Sequence, residues 1–358
     1  MSYMIGNRPI NRSEINRILI RATNWVGDVI MTLPALEALR ESFPNSTLVV
    51  LARPWVMPLF ESHPMVDSVI PLGKVKGSFS GLTDILKGSL QVRRQNFDLA
   101  VLFQNAFEAA LIAYLGGIRY RVGYDTDHRR LLLSHAVIRD DKIMNAHQVE
   151  YYLFLIRAMG LNARSRDPEL FVSKEQEEKA WPLLLENGVE QDDFILGMSP
   201  GAIYGPAKRW PPERFAVIGD MAVDRWGAKV MIFGSGQEKD ICARVSTAMN
   251  HPSINLCGGT ELGELIALIR RCNLFVTNDS GLMHMASALK VPLVAVFGST
   301  NPVATGPRGP RSIIVRHEVD CAPCMRPECS RDFQCMLSIE PEDVWNELLT
   351  LKKEMEGR

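Results

Sequence analysis

The 358-residue chain holds no apolar run approaching the ~20 residues that a membrane-spanning helix needs. Its first residues, with Asn7, Arg8, Asn11, Arg12 and Glu14 among them, contain no apolar signal core, so a cytoplasmic location is expected. Charge of one sign is also missing. Forty basic side chains oppose 41 acidic ones, and with no global pull toward polyanions nucleic acid is not expected as a partner. No Gly-x-Gly-x-x-Gly follows the first strand-like run, which disfavours a dinucleotide-dependent hydride transfer. No Walker loop is present either, because Lys208 stands at the wrong distance from Gly201 and is followed by Arg209 rather than Ser or Thr. Cysteines number seven, of which Cys242, Cys257 and Cys272 are scattered singly, as small buried hydrophobes in a reducing compartment.

What remains is an ordinary globular composition, 46% hydrophobic and 23% charged, in a length that suits two domains. Short apolar runs alternate with amphipathic stretches. Strands are expected at residues 17–20, 47–51, 68–72, 99–103 and 119–123, with helices at 29–42, 54–62, 82–93 and 107–115. A helical spacing of Val149, Tyr152, Leu153 and Ile156 closes this half, and a polar passage at 162–169 reads as a linker. The pattern restarts with strands at 194–198, 229–233, 274–277, 293–297 and 313–315, and helices at 212–225, 237–249, 262–270 and 281–289. The expected fold is therefore α/β, with two Rossmann-like doubly wound domains, 1–165 and 166–338, facing a cleft. An amphipathic helix within 339–358 is expected to pack back across it.

Ligands of parallel sheets bind beyond the carboxyl ends of the strands, so the strand-to-helix junctions carry the chemistry. The first junction, Arg21 to Asp28, places Gly27 and then Asp28 at the start of a helix. Capping accounts for Asp28 on spacing alone, and a general base in the cleft is the functional alternative. The second junction runs from Ser199 through Gly201 and Gly205 to Lys208. Its glycines allow close approach to a phosphate, and its lysine supplies a compact positive charge; a plain exposed loop is the other reading. The third is Asn278-Asp279-Ser280-Gly281 with His284 one turn on. Asp279 or Ser280 would cap a helix whose free N–H groups attract an anion, while His284 reads equally as a packed core residue. Residues 297–302 close the next strand and border the same place.

These segments resemble the ADP-heptose:lipopolysaccharide heptosyltransferases, glycosyltransferase family 9, over roughly residues 18–302. Asn24-Trp25-Val26-Gly27-Asp28, Ser199-Pro200-Gly201 with Gly205 to Pro211, and Thr277 to His284 carry the likeness, together with Arg53-Pro54-Trp55 and the stretch from Asn105 to Gly123. The resemblance implies a GT-B architecture and inverting transfer of heptose from ADP-heptose to the lipopolysaccharide inner core, in the branch that adds the second heptose, with no metal or other cofactor required. It makes Asp28 the general base and Lys208 the charge at the donor diphosphate. Ser199, Gly201, Asp279, Ser280, Gly281 and His284 become donor-binding residues. A transferase of this fold with another nucleotide sugar, or a non-catalytic nucleotide-sugar or zinc-binding protein, stays open as an alternative.

Two further features are not absorbed by this outline. Asn105 and the basic run Arg119, Arg121, Arg129 and Arg130 are candidates for an acceptor rich in carboxylates and phosphates, with a solvated basic edge as the plain alternative. The stretch 74–94 intersperses Lys74, Lys76, Lys87, Arg93 and Arg94 with Phe79, Leu82, Ile85 and Leu86, a composition suited to peripheral contact with the inner-membrane surface, where a lipid-linked acceptor would sit. Finally, Cys321, Cys324, Cys329 and Cys335 form a C-x₂-C-x₄-C-x₅-C cluster whose spacing can enclose a structural Zn²⁺ or, as a lesser alternative, an iron–sulfur cluster.

Overall fold

The computed structural model describes residues 3–6, 9–73 and 81–357. The chain divides into two compact units, Met1–Phe171 and Val172–Arg358. Arg166, beyond the last long helix of the first unit, donates to Glu41 at 2.7 and 2.8 Å and to Glu37 at 3.3 Å, so the polar passage after residue 162 is tied to that unit.

The first unit runs β1 (Met4–Gly6), β2 (Arg17–Arg21), α1 (Val26–Ser42), β3 (Thr47–Ala52), α2 (Pro58–Glu61), β4 (Ser68–Pro71), α3 (Gly81–Arg93), β5 (Leu99–Leu102), α4 (Phe107–Leu115), β6 (Tyr120–Tyr124), β7 (His135–Val137), α5 (Asp141–Met144) and α6 (Gln148–Ala158). Its sheet has the order β1-β7-β6-β5-β2-β3-β4, parallel throughout except for β1 against β7. Ile18, Leu19 and Ile20 of β2 are buried, as befits a central strand covered on both faces.

The second unit runs α7 (Lys174–Glu186), β8 (Ile195–Ser199), α8 (Pro212–Trp226), β9 (Lys229–Ile232), α9 (Lys239–Ala248), β10 (Ile254–Asn255), α10 (Leu262–Arg271), β11 (Leu274–Asn278), α11 (Gly281–Ala288), β12 (Leu293–Val296), α12 (Pro302–Thr305), β13 (Ser312–Val315), α13 (Gln334–Leu337) and α14 (Pro341–Glu356). Its sheet is wholly parallel, in the order β10-β9-β8-β11-β12-β13. Helix α8 shows how sequence sets the boundaries: proline opens it, and Gly227 ends it in the left-handed conformation at φ 62°. Helix α14 buries Val344, Leu348 and Leu351, packs against α8 and β11 to β13, and stacks Trp345 on Trp226 at 4.4 Å.

Leaving aside β1, the two sheets share one topology. Counted along each unit, the strands lie in the order 3-2-1-4-5-6, so the chain reverses its direction of travel between β2 and β5 in one unit and between β8 and β11 in the other. Loops leaving the two central strands diverge there and open a crevice at their carboxyl ends. Asp28 follows β2, the Lys208 loop follows β8, and Asp279 follows β11.

Candidate active site

In the second unit β8 and β11 pair so that Ser199 lies opposite Thr277. The chain beyond each strand is then held by Asn278, which is fully buried. Its side-chain oxygen accepts the Trp210 N–H at 3.0 Å, and its amide donates to the Pro200 carbonyl at 2.7 Å. One side chain on β11 thereby ties down both ends of the Lys208 loop. Gly201 is required within it, because a Cβ there would lie 2.0 Å from the Glu238 carboxylate.

The loop delivers Lys208 to Asp279. The ammonium donates to Asp279 Oδ2 at 2.7 Å and lies 4.8 Å from the centre of the Tyr204 ring. The Thr300 hydroxyl donates to the same oxygen at 2.6 Å, so the carboxylate is fixed from two sides. Asp279 is 4% exposed and Lys208 14%, which leaves the cation the more accessible partner. Ser280 caps α11, its hydroxyl accepting the Met283 N–H at 3.4 Å. The first N–H groups of α11, beginning at Gly281, form the positive end of the helix. His284 is buried one turn inside it.

Glu238, after β9, is a further buried carboxylate at this end of the sheet. Its Oε2 accepts the Ser235 N–H and hydroxyl, both at 2.8 Å, and its Oε1 faces Gly201. Sequence reading placed it inside an ordinary helix. The signal available was its position after the second strand of a Rossmann-like unit, where an acidic residue commonly meets a ribose.

In the first unit α1 begins at Val26 with Trp25 as N-cap, so Asp28 is the third residue of the first turn rather than the cap expected from sequence. It is half-buried, on a helix that packs against α6. Burial, seconded by the charge of Asp28, pushes the Tyr152 hydroxyl on α6 well above its ordinary range. The preceding turn is braced by two hydrogen bonds, Arg21 to the Asn24 side chain at 3.2 Å and Trp55 to the Asn24 carbonyl at 2.9 Å.

The model for glycosyltransferase family 9 (heptosyltransferase) matches residues 86–333, more than half of the chain. The chain belongs to this family. It is 30% identical over 347 residues to lipopolysaccharide heptosyltransferase 2 of Escherichia coli K12, covering 94% of this chain and 98% of that one. It is 32% identical over 316 residues to lipooligosaccharide heptosyltransferase 2 of Haemophilus influenzae, covering 84% and 88%. The structure of E. coli ADP-heptose lps heptosyltransferase II superposes with a TM-score of 0.81 at 29% identity, over 95% of this chain and 99% of that one. A family 9 glycosyltransferase from Veillonella parvula does so with a TM-score of 0.83 at 25% identity, over 95% and 97%. The two parallel-sheet units are thus those of a GT-B glycosyltransferase.

Within this family 9 transferase the acceptor candidates fare differently from the Lys208 loop. Arg119 and Arg121 lie at the amino end of β6, away from the carboxyl ends that form the crevice. Arg119 pairs with Glu14 at 2.6 Å, and Arg121 donates to the backbone carbonyls of Leu132 and Ile118. Arg129 is wholly buried, bonded to the carbonyls of Tyr124 and Gln104 and to Asn105 Oδ1 at 3.0 Å, and burial lowers its pKa to about 10. Asn105 spends its amide nitrogen on Tyr151 at 2.9 Å. Each of these four is engaged within the first unit, Arg119 through an exposed ion pair. Arg130 is exposed beside Asp125, at 3.3 Å.

The cysteine cluster lies between β13 and α14. Among the described residues no group of three or more His, Cys, Asp or Glu is placed to hold a metal ion. Cys329 Sγ instead accepts the N–H groups of Arg331 and Phe333 at 3.3 and 3.2 Å. Cys335 is buried beside Gly298, and burial foremost raises its thiol pKa. The segment braces the Lys208 loop: the Pro327 carbonyl accepts the Ala207 N–H at 3.0 Å, and the Met325 carbonyl accepts the Tyr204 hydroxyl at 2.7 Å.

Proposed function

We propose that this protein transfers L-glycero-D-manno-heptose from ADP-heptose to the inner core of lipopolysaccharide, with inversion, adding the second heptose as heptosyltransferase 2 does. The observation that carries the donor half is the Lys208–Asp279–Thr300 arrangement beside the open N-terminus of α11, at the reversal point of a nucleotide-binding topology. The donor diphosphate takes its hydrogen bonds from Lys208, the Ser280 hydroxyl and the N–H groups at Gly281, with Ser199, Gly201 and His284 lining the same end of the sheet. Asp279 holds the Lys208 ammonium in place, and Glu238 accepts from the ribose hydroxyls.

The Asp28 carboxylate takes the proton from the acceptor hydroxyl as that oxygen attacks the anomeric carbon. The bond from that carbon to the diphosphate oxygen breaks, and ADP leaves with the electron pair. Lys208 and the α11 dipole stabilise the charge that develops on the departing oxygen. The reaction is placed at the cytoplasmic face of the inner membrane, where a lipid-borne acceptor presents its sugars. Among the described residues no helix is long and apolar enough to cross a membrane.

The test is a product assay with ADP-heptose, ADP-glucose and UDP-sugars against defined inner-core acceptors, in the presence of EDTA, followed by linkage analysis. Heptose joined to the first inner-core heptose is the expected product. Faster turnover with another nucleotide sugar would assign the same clamp to a different donor.

A further inference from the structure

Helix α3 carries apolar residues on its buried face and again on the exposed side next to it. Gly88 and Val92 are buried, and Gly88 sits so near Leu72 that an added Cβ would lie 2.8 Å from it. Beside that face Leu82, Leu86 and Leu90, spaced i, i+4, i+8, are 72%, 51% and 56% exposed. An α-helix brings such positions into one line, where a helix with only a core to satisfy carries polar groups. Beside the line stand the exposed Lys87, Arg93 and Arg94. The one acidic residue of α3, Asp84, is only 18% exposed and is paired with Arg53 at 3.1 Å. The outward face of the helix is therefore leucine and cation, without a carboxylate.

The feature continues sideways. Helix α4 packs against α3, and the short 3₁₀ turn Arg130–Leu132 packs against α4. That turn presents Leu131, at 93% the most exposed large hydrophobic side chain among the described residues, between Arg130 and the start of β7.

We propose that this face, Leu82, Leu86 and Leu90 with their flanking cations and Leu131, docks on the surface of an anionic lipid bilayer. A leucine line edged by lysine and arginine suits the boundary between headgroups and acyl chains: the leucines enter the apolar layer and the cations meet phosphates. A second copy of the chain fits less well. A two-fold contact would set the patch against itself, and Lys87, Arg93 and Arg94 would face their own counterparts. The inference rests on the reading that the acceptor is lipid-borne, since docking then brings the crevice of the first unit to the substrate's own surface.

Co-sedimentation of the full chain with vesicles of phosphatidylglycerol and phosphatidylethanolamine, and with phosphatidylcholine vesicles as the neutral control, tests it. The wild type is expected to bind the anionic vesicles and to be released by salt. The triple variant Leu82→Glu, Leu86→Glu, Leu90→Glu should bind about tenfold or more weaker, since it replaces apolar insertion by charge repulsion. The milder Leu82→Gln, Leu86→Gln, Leu90→Gln set guards against loss of folding and should also weaken binding. Both sets should retain wild-type transfer to a soluble, deacylated acceptor and lose it selectively with acceptor embedded in vesicles. Three results would overturn the proposal: no binding by the wild type, unchanged binding by both triple variants, or conversion of a wild-type dimer to monomer by the glutamates in analytical ultracentrifugation. Vesicle binding without heptose transfer to any acceptor would instead sink the functional reading and leave the docking surface standing.

Discussion

The two units build the same crevice at the same topological point and furnish it in opposite ways. After β8 and β11, Lys208 is left partly accessible, with the Asp279 carboxylate and a helix N-terminus beside it. At the ends of β2, β3 and β6, the first unit is richer in arginine, yet those arginines are consumed internally. Arg21 is buried, contacts Glu108 at 3.4 Å, and has its pKa lowered to about 10, mainly by burial. Arg53 is shared between Glu108 and Asp84, and Arg129 is spent on carbonyls and Asn105. Positive charge alone does not mark an anion site. What matters is whether the local acceptors have already used it.

The comparison breaks most visibly at Asp28. If the first crevice serves proton transfer and not anion binding, Asp28→Ala should lower kcat by ~10²–10⁴-fold, the usual contribution of a general base. ADP affinity, measured by calorimetry, should stay within a factor of about two, because Asp28 belongs to the other unit. An Asp28→Ala enzyme with most of its turnover intact would remove the base from the scheme.

Next in size is Arg129. Replacing it with Met should cost ~3–5 kcal/mol of unfolding free energy, as removal of one partner from a buried polar network commonly does. Denaturant titration reads this directly. Soluble-acceptor KM, measured where the variant remains folded, should not move; a rise in KM with normal stability would restore Arg129 to the acceptor site.

The contrast between lysine and arginines was hard to read from sequence, whereas the frame around it was not. The strand-to-helix periodicity placed the parallel strands within a residue or two, because strands buried on both faces are continuous apolar runs. Strands β1, β7 and β10 escaped notice, being only two or three residues long and defined by their neighbours rather than their own pattern. Helix α7 escaped as well, although Ser173 and Gln176 form the capping box that announces it. Lys208 and Asp279 were legible because glycine, proline and a capping serine punctuate their loops. The expected strand at 119–123 already put Arg119 and Arg121 at its amino end, but the strand pattern gave no sign of the partners they take there, Glu14 and the Leu132 carbonyl. Of the stretch read as a membrane contact, Lys74, Lys76 and Phe79 fall outside the described residues. Thr300 was legible only as one of residues 297–302 bordering the site; its bond to Asp279, across 21 residues, was not.

On the donor side, Lys208→Ala should lower kcat/KM by ~10²–10³-fold, in the range found when one preorganised charge or donor is removed from a developing anion. It should also weaken ADP binding, which Asp28→Ala should not. The pair of variants separates the two crevices by readout: loss in kcat alone for the first, loss in both quantities for the second. If Lys208→Ala left ADP affinity untouched, the ammonium would be serving Asp279 rather than the diphosphate.

The smallest effect tests why Lys208 stays available while the arginines do not. A lysine bound to a freely turning carboxylate could follow it away from the ligand; here Thr300 holds Asp279 Oδ2 from the far side, so the ammonium has one resting place. Thr300→Val preserves the side chain's shape and removes that hydrogen bond. The loss of one such bond to a charged group is worth about 1.5–3 kcal/mol. Part of it should be recovered by a shift of Asp279 onto Lys208, which tightens the ion pair and makes the ammonium less available to phosphate. The expected result is a rise of several-fold in KM for ADP-heptose with kcat nearly unchanged, and a partial return with Thr300→Ser, whose hydroxyl restores the donor. A fall in kcat that Ser does not rescue would show that the methyl group, and hence packing, was what mattered at this position.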